Sequence, residues 1–261
     1  MKSPAKQSAY NDTIQKLFEL HHIELVPPQE LRTVQVPHVY YLPHHGVYKD
    51  ASSTTKLRIV YDGTCKSDTG VSLNDCLMVG PVLQEDLISI LIRWRLWRIP
   101  FTADIKQMYL QIQLHPRDRN FLRVYWRFDP NERLLCYRMT RVTFGLASAP
   151  YQAIKTLQTL ADECEAECPM AHKIMKRDVY VDDCLSGANT EQEVLQAQKE
   201  LILACKAGNF ELRKFSSTSA AVLAAVPEDH RETQLPISFA QDESVKTLGL
   251  KWNPGTDSFF F

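Results

Sequence analysis

Three aspartates stand at the ends of apolar, strand-like segments of the chain. Asp104 follows Phe-Thr-Ala, and the adjacent pair Asp182 and Asp183 follows Val-Tyr-Val. Neighbouring side chains on a strand point to opposite faces, but both members of a pair can reach one region at the tip of a hairpin. Because a buried carboxylate is costly unless it is paired or bound to a metal, the pattern is compatible with a metal site as well as with a solvated turn.

The chemistry that such a group could support is phosphoryl transfer. Carboxylates from two separate strands would present the hard oxygen ligands that Mg2+ prefers, and substrate phosphates complete the octahedron around that ion. Two such ions can bind the attacking and the leaving oxygen of an in-line displacement. Most Asp-Asp pairs are solvated turns, whereas this one lies between apolar runs, with Cys184 and Leu185 leading out. The framing favours a metal site without excluding a turn.

Composition and charge bound the class of protein. The 261 residues are 44% hydrophobic and 23% charged, which is ordinary for a globular protein with a sizeable core. The net charge is −1, from 30 basic and 31 acidic residues, whereas nucleic-acid binders usually carry a basic surplus. Basic residues are nevertheless grouped locally, either as solvated faces or as binding tracks. The groups are Arg93, Arg95 and Arg98; Arg117, Arg119, Arg123 and Arg127; and Lys173, Lys176 and Arg177.

Cysteine usage and hydropathy point to the cell interior. The seven cysteines include no Cys-x-x-Cys pair. Cys164, Cys168 and His172 are spaced four apart, but Pro169 interrupts their helix, so we expect free thiols in a reducing compartment rather than a zinc site. Neither a run of eighteen apolar residues nor a signal-peptide core is present. We therefore expect a cytoplasmic protein without a membrane partner.

Helices interleaved with antiparallel hairpins must position the aspartates. Apolar periodicity and turn residues predict helices over 11–20, 84–97, 148–167 and 190–207, and strands over 39–42, 57–61, 101–105, 121–128 and 134–139. Residues 178–186 are predicted as strand, turn and strand, and residues 245–261 as edge strands around Asn253-Pro254-Gly255. Lys49 and Lys56 lie at the tip of the first hairpin. Thr190 and Glu193 have capping-box spacing, and Gly208 stops their helix. This order of elements predicts an α+β fold.

Three segments resemble the motifs of reverse transcriptases. Tyr-Val-Asp-Asp at 180–183 resembles the Tyr-x-Asp-Asp box of that family. TADIKQMYLQIQL, which contains Asp104, resembles the first catalytic motif. VTFGLASAPYQ resembles the segment between them, which typically reads Phe-Gly-Leu-x-x-Ala-Pro. The resemblance implies an RNA-directed DNA polymerase, which adds deoxynucleoside triphosphates to a primer 3′-hydroxyl on an RNA or DNA template.

The N-terminal half narrows the resemblance to one lineage. Its Leu-Pro-His-His, Lys-Leu-Arg-x-Val-x-Asp and Ser-Leu-Asn-Asp-x-Leu boxes, followed by Gly-Pro, are similar to those of Pao/BEL-type long-terminal-repeat retrotransposons. TLGLKWNPGTDSF also resembles the segment that closes the palm in that group. The resemblance implies a right-hand polymerase in which an antiparallel palm sheet packs on helices. Residues 1–82 would form the N-terminal extension and fingers, and residues 83–261 the palm with the remaining fingers elements.

The resemblance also implies a fragment of a longer Pol polyprotein. Little sequence follows the palm-closing segment, so we expect the thumb to be largely absent and the RNase H and integrase regions to be missing. Without a thumb, the grip on a primer–template duplex should be poor. Virus-like particles of such an element are cytoplasmic, and a nuclear location stays open.

Carried onto this sequence, the catalytic residues of the family would be Asp104, Asp182 and Asp183. Together with the backbone carbonyl of Ile105 they would hold two Mg2+ ions, for which Mn2+ could substitute. The resemblance thus gives the carboxylate pattern a specific cofactor.

The resemblance implies a second set of residues that bind the nucleotide. This set comprises Arg58, Lys56, Tyr109, Phe144 and Gly145, with Lys49 as a weaker candidate. Tyr109 would lie under the sugar and leave no room for a 2′-hydroxyl. Arg58 and one of the lysines would neutralise the triphosphate. Retroviral enzymes often carry glutamine at the position of Phe144, so the polar contact of that glutamine is missing here.

Other interpretations of the same residues stay open. Tyr109 could be a core side chain and Arg58 the partner of a surface ion pair. The chain could also be a decayed or host-adopted element that only binds nucleic acid, a palm polymerase that copies RNA into RNA, or a non-catalytic interaction domain. Tyr109 argues against RNA synthesis, because a small residue at that position would favour ribonucleotides.

Overall fold

The computed structural model describes residues 4–33, 38–48, 57–237 and 244–260. Its helices are α1 (Pro4–Glu19), α2 (Pro28–Thr33), α3 (Leu73–Cys76), α4 (Leu87–Arg95), α5 (Met108–Gln111), α6 (Ala149–Glu163), α7 (Pro169–Arg177), α8 (Glu191–Ala207) and α9 (Ala220–Ala224). Its strands are β1 (Ile23–Leu25), β2 (His44–Tyr48), β3 (Leu57–Tyr61), β4 (Ile99–Ile105), β5 (Arg123–Trp126), β6 (Leu135–Met139), β7 (Val179–Tyr180), β8 (Asp183–Ala188), β9 (Leu212–Ser217), β10 (Val245–Thr247), β11 (Leu250–Asn253) and β12 (Ser258–Phe260). Short 3-10 helices lie at Pro116–Leu122 and Glu228–His230.

The predicted α+β class is confirmed. The strands form sheets of order β1-β6-β5, β2-β3, β7-β8-β4-β9 and β10-β11-β12, and every pairing between these strands is antiparallel. No helix in the described part of the chain is both long and apolar enough to cross a membrane.

Two compact units make up the chain. The first contains Met1–Gly80 and Tyr109–Pro150, and the second contains Pro81–Met108 and Tyr151–Phe261. The predicted division at residue 82, between a smaller N-terminal lobe and the region with the main sheet, stays a prediction.

The first unit has its own hydrophobic core. Tyr10 and Ile14 of α1 are buried in the same cluster as Ile59 of β3, Val124 of β5 and Met139 of β6. Apolar positions one turn apart on α1 and alternate positions on the strands supply these contacts, as the periods of the two structures require. The predicted hairpin of 121–128 and 134–139 is confirmed by the pairing of β5 with β6.

The predicted strand over 39–42 is wrong in position. The partner of β3 is β2, which begins after Pro43, and its register joins His44 to Tyr61 and Tyr48 to Leu57. The segment before Pro43 instead hydrogen-bonds the chain near Arg123, where the Leu42 amide donates to the Arg123 carbonyl at 2.8 Å. Of the apolar run of 39–42, only Leu42 is buried, and the run pairs with the chain near Arg123 rather than with β3.

The second unit is built around the sheet β7-β8-β4-β9. Ile90 and Trp94 of α4 form a buried cluster with Leu185 of β8 and Trp252 of β11. The indole rings of Trp94 and Trp252 meet edge to face, with centroids 4.9 Å apart. Asp257 accepts hydrogen bonds from the Trp252 indole and the Arg95 guanidinium, both at 2.9 Å. The C-terminal strands are therefore fastened to the helix that precedes β4.

Helix boundaries in this unit both confirm and correct the prediction. The Thr190–Glu193 capping box is present at the start of α8, and Gly208 is its C-cap residue. The helix predicted over 148–167 ends at Glu163, and a separate helix, α7, begins at Pro169. Proline is tolerated in the first turn of a helix because the amide there has no intrahelical partner. Pro169 therefore starts a helix where a stop was predicted.

Strand β9 was missed altogether. Its sequence, Leu-Arg-Lys-Phe-Ser-Ser, contains one aromatic residue and no β-branched residue, so it gives a weak strand signal. Pairing with β4 decides its conformation. This omission matters because β9 carries Lys214, which contacts Asp104.

Candidate active site

Asp104 and Asp183 lie directly opposite each other on neighbouring strands. The register of β4 and β8 pairs Asp104 with Asp183, and β7 pairs Tyr180 with the same aspartate. Directly opposed residues of an antiparallel pair project to one face, with Cβ atoms about 5 Å apart. The Ile105 amide donates to the Asp182 carbonyl at 2.7 Å. The fold therefore brings together the segments of both predicted catalytic motifs.

The turn between β7 and β8 has a strained backbone. Val181 has a φ of 56°, in the left-handed region that a β-branched residue rarely enters. Its amide donates to the Gln84 side-chain oxygen at 3.1 Å. Such a conformation costs about 1–3 kcal/mol and persists only where surrounding contacts impose it. Gln84, which the sequence did not single out, therefore helps to hold the tip that presents Asp182.

A further carboxylate, that of Asp178, stabilises the base of the β7–β8 hairpin. Asp178 is buried and accepts hydrogen bonds from Arg93 Nε at 2.9 Å and from Ser186 Oγ at 2.7 Å. Its backbone carbonyl accepts the Leu185 amide at 2.8 Å. Burial raises the pKa of Asp178, while Ser186 and Arg93 oppose that shift. This paired carboxylate has a structural role that its sequence position did not reveal.

The aspartates repel one another electrostatically. Burial, together with the nearby charges of Asp182 and Asp104, raises the pKa of Asp183 to about 7, and Lys214 acts against that rise. A carboxyl that shares a site with other carboxylates ionises with difficulty. The site therefore has an excess of negative charge that a cation would relieve.

Lys214 neutralises part of this negative charge. Its Nζ lies 3.0 Å from Asp104 Oδ2, and the side chains are 42% and 20% exposed, so the pair is only partly open to water. Burial acts to lower the pKa of Lys214, but the charge of Asp104 and its hydrogen bond raise the pKa above its usual value. The only sequence signal for this residue was an Arg-Lys pair inside the missed strand β9.

The donor chemistry fits a divalent metal. Asp104 and Asp183 share a face, Asp182 lies in the turn just before Asp183, and both burial and the neighbouring carboxylates raise the pKa of Asp183. Carboxylate oxygens are the ligands that Mg2+ prefers. Over the described ranges, however, no three or more His, Cys, Asp or Glu side chains are already arranged as a metal-binding group. Lys214 contacts Asp104 in this conformation.

Predicted nucleotide-binding residues form a separate cluster within the first unit. The Arg58 guanidinium lies over the Phe144 ring, 5.1 Å from its centroid. Tyr109 meets the same ring edge to face, at a centroid distance of 5.0 Å. The Tyr109 ring is partly buried against the core of this unit, so it has a packing role, and its binding role stays a prediction. Lys49 and Lys56 lie outside the described residues.

Gly145 has a backbone that only glycine fits. Its φ is 98°, and a Cβ atom would lie 1.8 Å from the Tyr61 carbonyl oxygen. Asn74 holds this turn from both sides, because its Nδ2 donates to the Gly145 carbonyl and its Oδ1 accepts the Ala147 amide, both at 2.9 Å. Asn74 belongs to the Ser-Leu-Asn-Asp box, so one sequence box positions another.

Asp183→Asn is expected to stabilise the metal-free protein at alkaline pH. Because the folded state raises the pKa of Asp183, its ionisation destabilises the fold progressively as the pH rises from the unfolded value toward about 7. The amide removes that cost, so urea unfolding in EDTA at about pH 8 should show a gain of about 2 kcal/mol that vanishes near pH 4. The exposed Asp162, which pairs with Lys176 at 2.7 Å, provides the control Asp162→Asn, which should give no gain. Equal stability of Asp183→Asn and the parent at alkaline pH would contradict this expectation.

Comparison with known proteins finds similarity at the level of the fold. No family model and no curated protein matches the chain. The chain is similar to the prototype foamy virus protease-reverse transcriptase CSH mutant, with a TM-score of 0.59 and 15% identity over 80% of this chain and 24% of that one. It is also similar to the foamy viral protease-reverse transcriptase dRH in complex with double-stranded DNA, with a TM-score of 0.61 and 14% identity over 95% of this chain and 34% of that one. For the foamy viral protease-reverse transcriptase in complex with an RNA/DNA hybrid, the TM-score is 0.62 and the identity is 13%, over 97% of this chain and 26% of that one.

These similarities support a reverse transcriptase fold at low sequence identity. The chain spans about a quarter to a third of the length of the viral proteins that it resembles.

Proposed function

We propose that the chain is the polymerase core of a reverse transcriptase from a Pao/BEL-type retrotransposon. The observation that carries this proposal is the pairing of Asp104 with Asp183, beside the Tyr-Val-Asp-Asp turn. The fold similarity to viral reverse transcriptases supports it. Residues 1–82 are proposed as N-terminal extension and fingers, and residues 83–261 as palm with the remaining fingers elements.

The proposed reaction joins a deoxynucleotide to a primer. The primer 3′-hydroxyl attacks the α-phosphate, a new P–O bond forms, and pyrophosphate leaves. Asp104, Asp182, Asp183 and the Ile105 carbonyl would hold two Mg2+ ions, which lower the pKa of the attacking hydroxyl and stabilise the leaving pyrophosphate when bound. The protein itself mainly positions the reactants and neutralises charge.

The first unit is proposed to recognise the nucleotide. Arg58, held against the Phe144 ring, would neutralise the triphosphate, and Tyr109 would exclude a 2′-hydroxyl. Gly145 and the Asn74 hydrogen bonds would keep this surface in one conformation.

A primer–template duplex is the proposed macromolecular partner. Two of the similar viral proteins are bound to double-stranded DNA and to an RNA/DNA hybrid. The thumb of the parent Pol polyprotein would add to the grip on that duplex, and its RNase H and integrase regions are proposed as further partners. We propose cytoplasmic virus-like particles as the location.

Primer extension tests the proposal directly. The purified chain is incubated with a labelled primer on an RNA template, Mg2+ and deoxynucleotides, and products are separated by length. We expect short extensions with low processivity. Duplex binding is measured in parallel by fluorescence anisotropy. Binding without extension at any protein concentration would reject the enzyme and favour the alternative of an inactive, host-adopted element that only binds nucleic acid.

That alternative has one structural observation in its favour. Lys214 contacts Asp104, one of the proposed metal ligands. An extension assay with Mn2+ as well as Mg2+ separates the two functions, because the alternative predicts no product with either ion.

Tyr109→Ala is expected to weaken the exclusion of ribonucleotides. Removing the ring would open space beside the sugar, so the ratio of ribonucleotide to deoxynucleotide incorporation should rise at least about tenfold, which corresponds to about 1.4 kcal/mol of discrimination. Single-nucleotide kinetics with matched triphosphates measure this ratio. Tyr109→Phe keeps the ring and should retain discrimination. An unchanged ratio in Tyr109→Ala would remove the sugar-sensing role.

A further inference from the structure

Lys214 is placed among carboxylates by an unusual local backbone. Its φ of 53° lies in the left-handed region, where lysine is uncommon. The pairing of β9 with β4 also shifts register between Thr102 and Asp104. These irregularities occur beside the one aspartate that Lys214 contacts.

The preceding residue has different partners. Arg213 lies 2.6 Å from a Glu211 carboxylate oxygen and 2.9 Å from an Asp229 carboxylate oxygen, whereas the ammonium of Lys214 contacts Asp104. Two consecutive basic residues thus serve separate acidic groups. The charges that act on Lys214 come from Asp104, Glu232 and Asp183. The strained residue is the one that delivers positive charge to the candidate active site.

We propose that Lys214 is a built-in counter-ion, which holds Asp104 when no divalent cation is bound and releases it when a cation binds. This inference rests on the proposed function, because that function places a divalent cation on Asp104. Lys214 is therefore a positioning residue that sets the metal affinity and the metal-free stability of the site.

Competition for one carboxylate explains the expected effect. Asp104 Oδ2 accepts a hydrogen bond from the Lys214 ammonium at 3.0 Å. A cation that binds this oxygen must displace the ammonium and also overcome the repulsion between the two positive charges. Removing the ammonium should tighten cation binding. It should also leave Asp104 without its ion-pair partner when no cation is present.

Lys106 offers a matched control in the same unit. Its Nζ pairs with Glu211 at 2.7 Å, and its side chain is exposed to a similar degree. Lys106→Met removes one positive charge from the neighbourhood without removing a contact to the aspartates. It therefore distinguishes the effect of losing the Lys214–Asp104 contact from the general effect of losing a positive charge nearby.

The experiment compares Mn2+ binding by the parent, Lys214→Met and Lys106→Met. Free Mn2+ is counted by electron paramagnetic resonance, and melting temperatures are recorded in EDTA and in saturating Mn2+. We expect Lys214→Met to bind Mn2+ about fivefold more tightly, on the scale of a partly exposed ion pair. It should melt about 3 °C lower in EDTA and gain more from Mn2+ than the parent. Lys106→Met should match the parent.

A second variant guards against misfolding. Lys214→Gly suits the left-handed backbone, so it removes the ammonium while relieving strain, and it should show the same gain in Mn2+ affinity. Unchanged or weaker affinity in both variants, with primer extension intact in the parent, would overturn the counter-ion and leave the proposed function standing. Absence of Mn2+ binding in every protein would overturn both.

Discussion

Asp104→Asn is expected to reduce primer extension by at least about a thousandfold, which corresponds to about 4 kcal/mol of lost transition-state stabilisation. The amide keeps the shape of the side chain but removes the negative charge that pairs with Lys214 and that would bind a cation. Asp183→Asn, on the facing strand, should have the same effect because both carboxylates serve one site. Steady-state extension on a primed RNA template measures the loss.

The same assay needs a carboxylate outside the site. Asp162 on α6 pairs with Lys176, so Asp162→Asn removes a comparable charge and should retain parental activity. Circular dichroism checks that each variant is folded. Retained activity in either Asp104→Asn or Asp183→Asn would refute the proposed polymerase.

Gly145→Ala is expected to destabilise the first unit by about 4 kcal/mol, because it combines backbone strain with a steric clash. The new Cβ would lie 1.8 Å from the Tyr61 carbonyl oxygen, and the φ of 98° is unsuited to alanine. Relief requires the turn to move away from Tyr61, which would break its hydrogen bonds with Asn74. Chemical denaturation followed by circular dichroism measures the loss.

Gly70 separates the two contributions. Its φ is 79°, but a Cβ atom there would meet nothing within 4 Å. Gly70→Ala should therefore cost only the backbone strain, about 1 kcal/mol. Similar losses in the two variants would show that the close approach of Gly145 to Tyr61 contributes little to stability.

Patterns of residues close together in the sequence predicted several elements of the fold. The apolar run before Asp104 predicted a strand, and β4 extends over Ile99–Ile105. The Thr190–Glu193 spacing predicted the start of α8 correctly. Such features were accessible because capping and strand alternation depend on residues close together in the chain. Pro169 was misjudged because the same residue is compatible with the end of one helix and the start of the next.

The amino-acid sequence by itself determined the chemical identity of the candidate site, since the Tyr-Val-Asp-Asp turn and Asp104 each follow a recognisable strand. Only the tertiary structure decided that Asp104 faces Asp183 and that Lys214 reaches Asp104. Strand register and ion pairs between distant segments depend on how the whole sheet packs, and no local period encodes them. The three aspartates were therefore visible in the sequence as candidate metal ligands, whereas Lys214, the proposed counter-ion, was found only in the folded sheet.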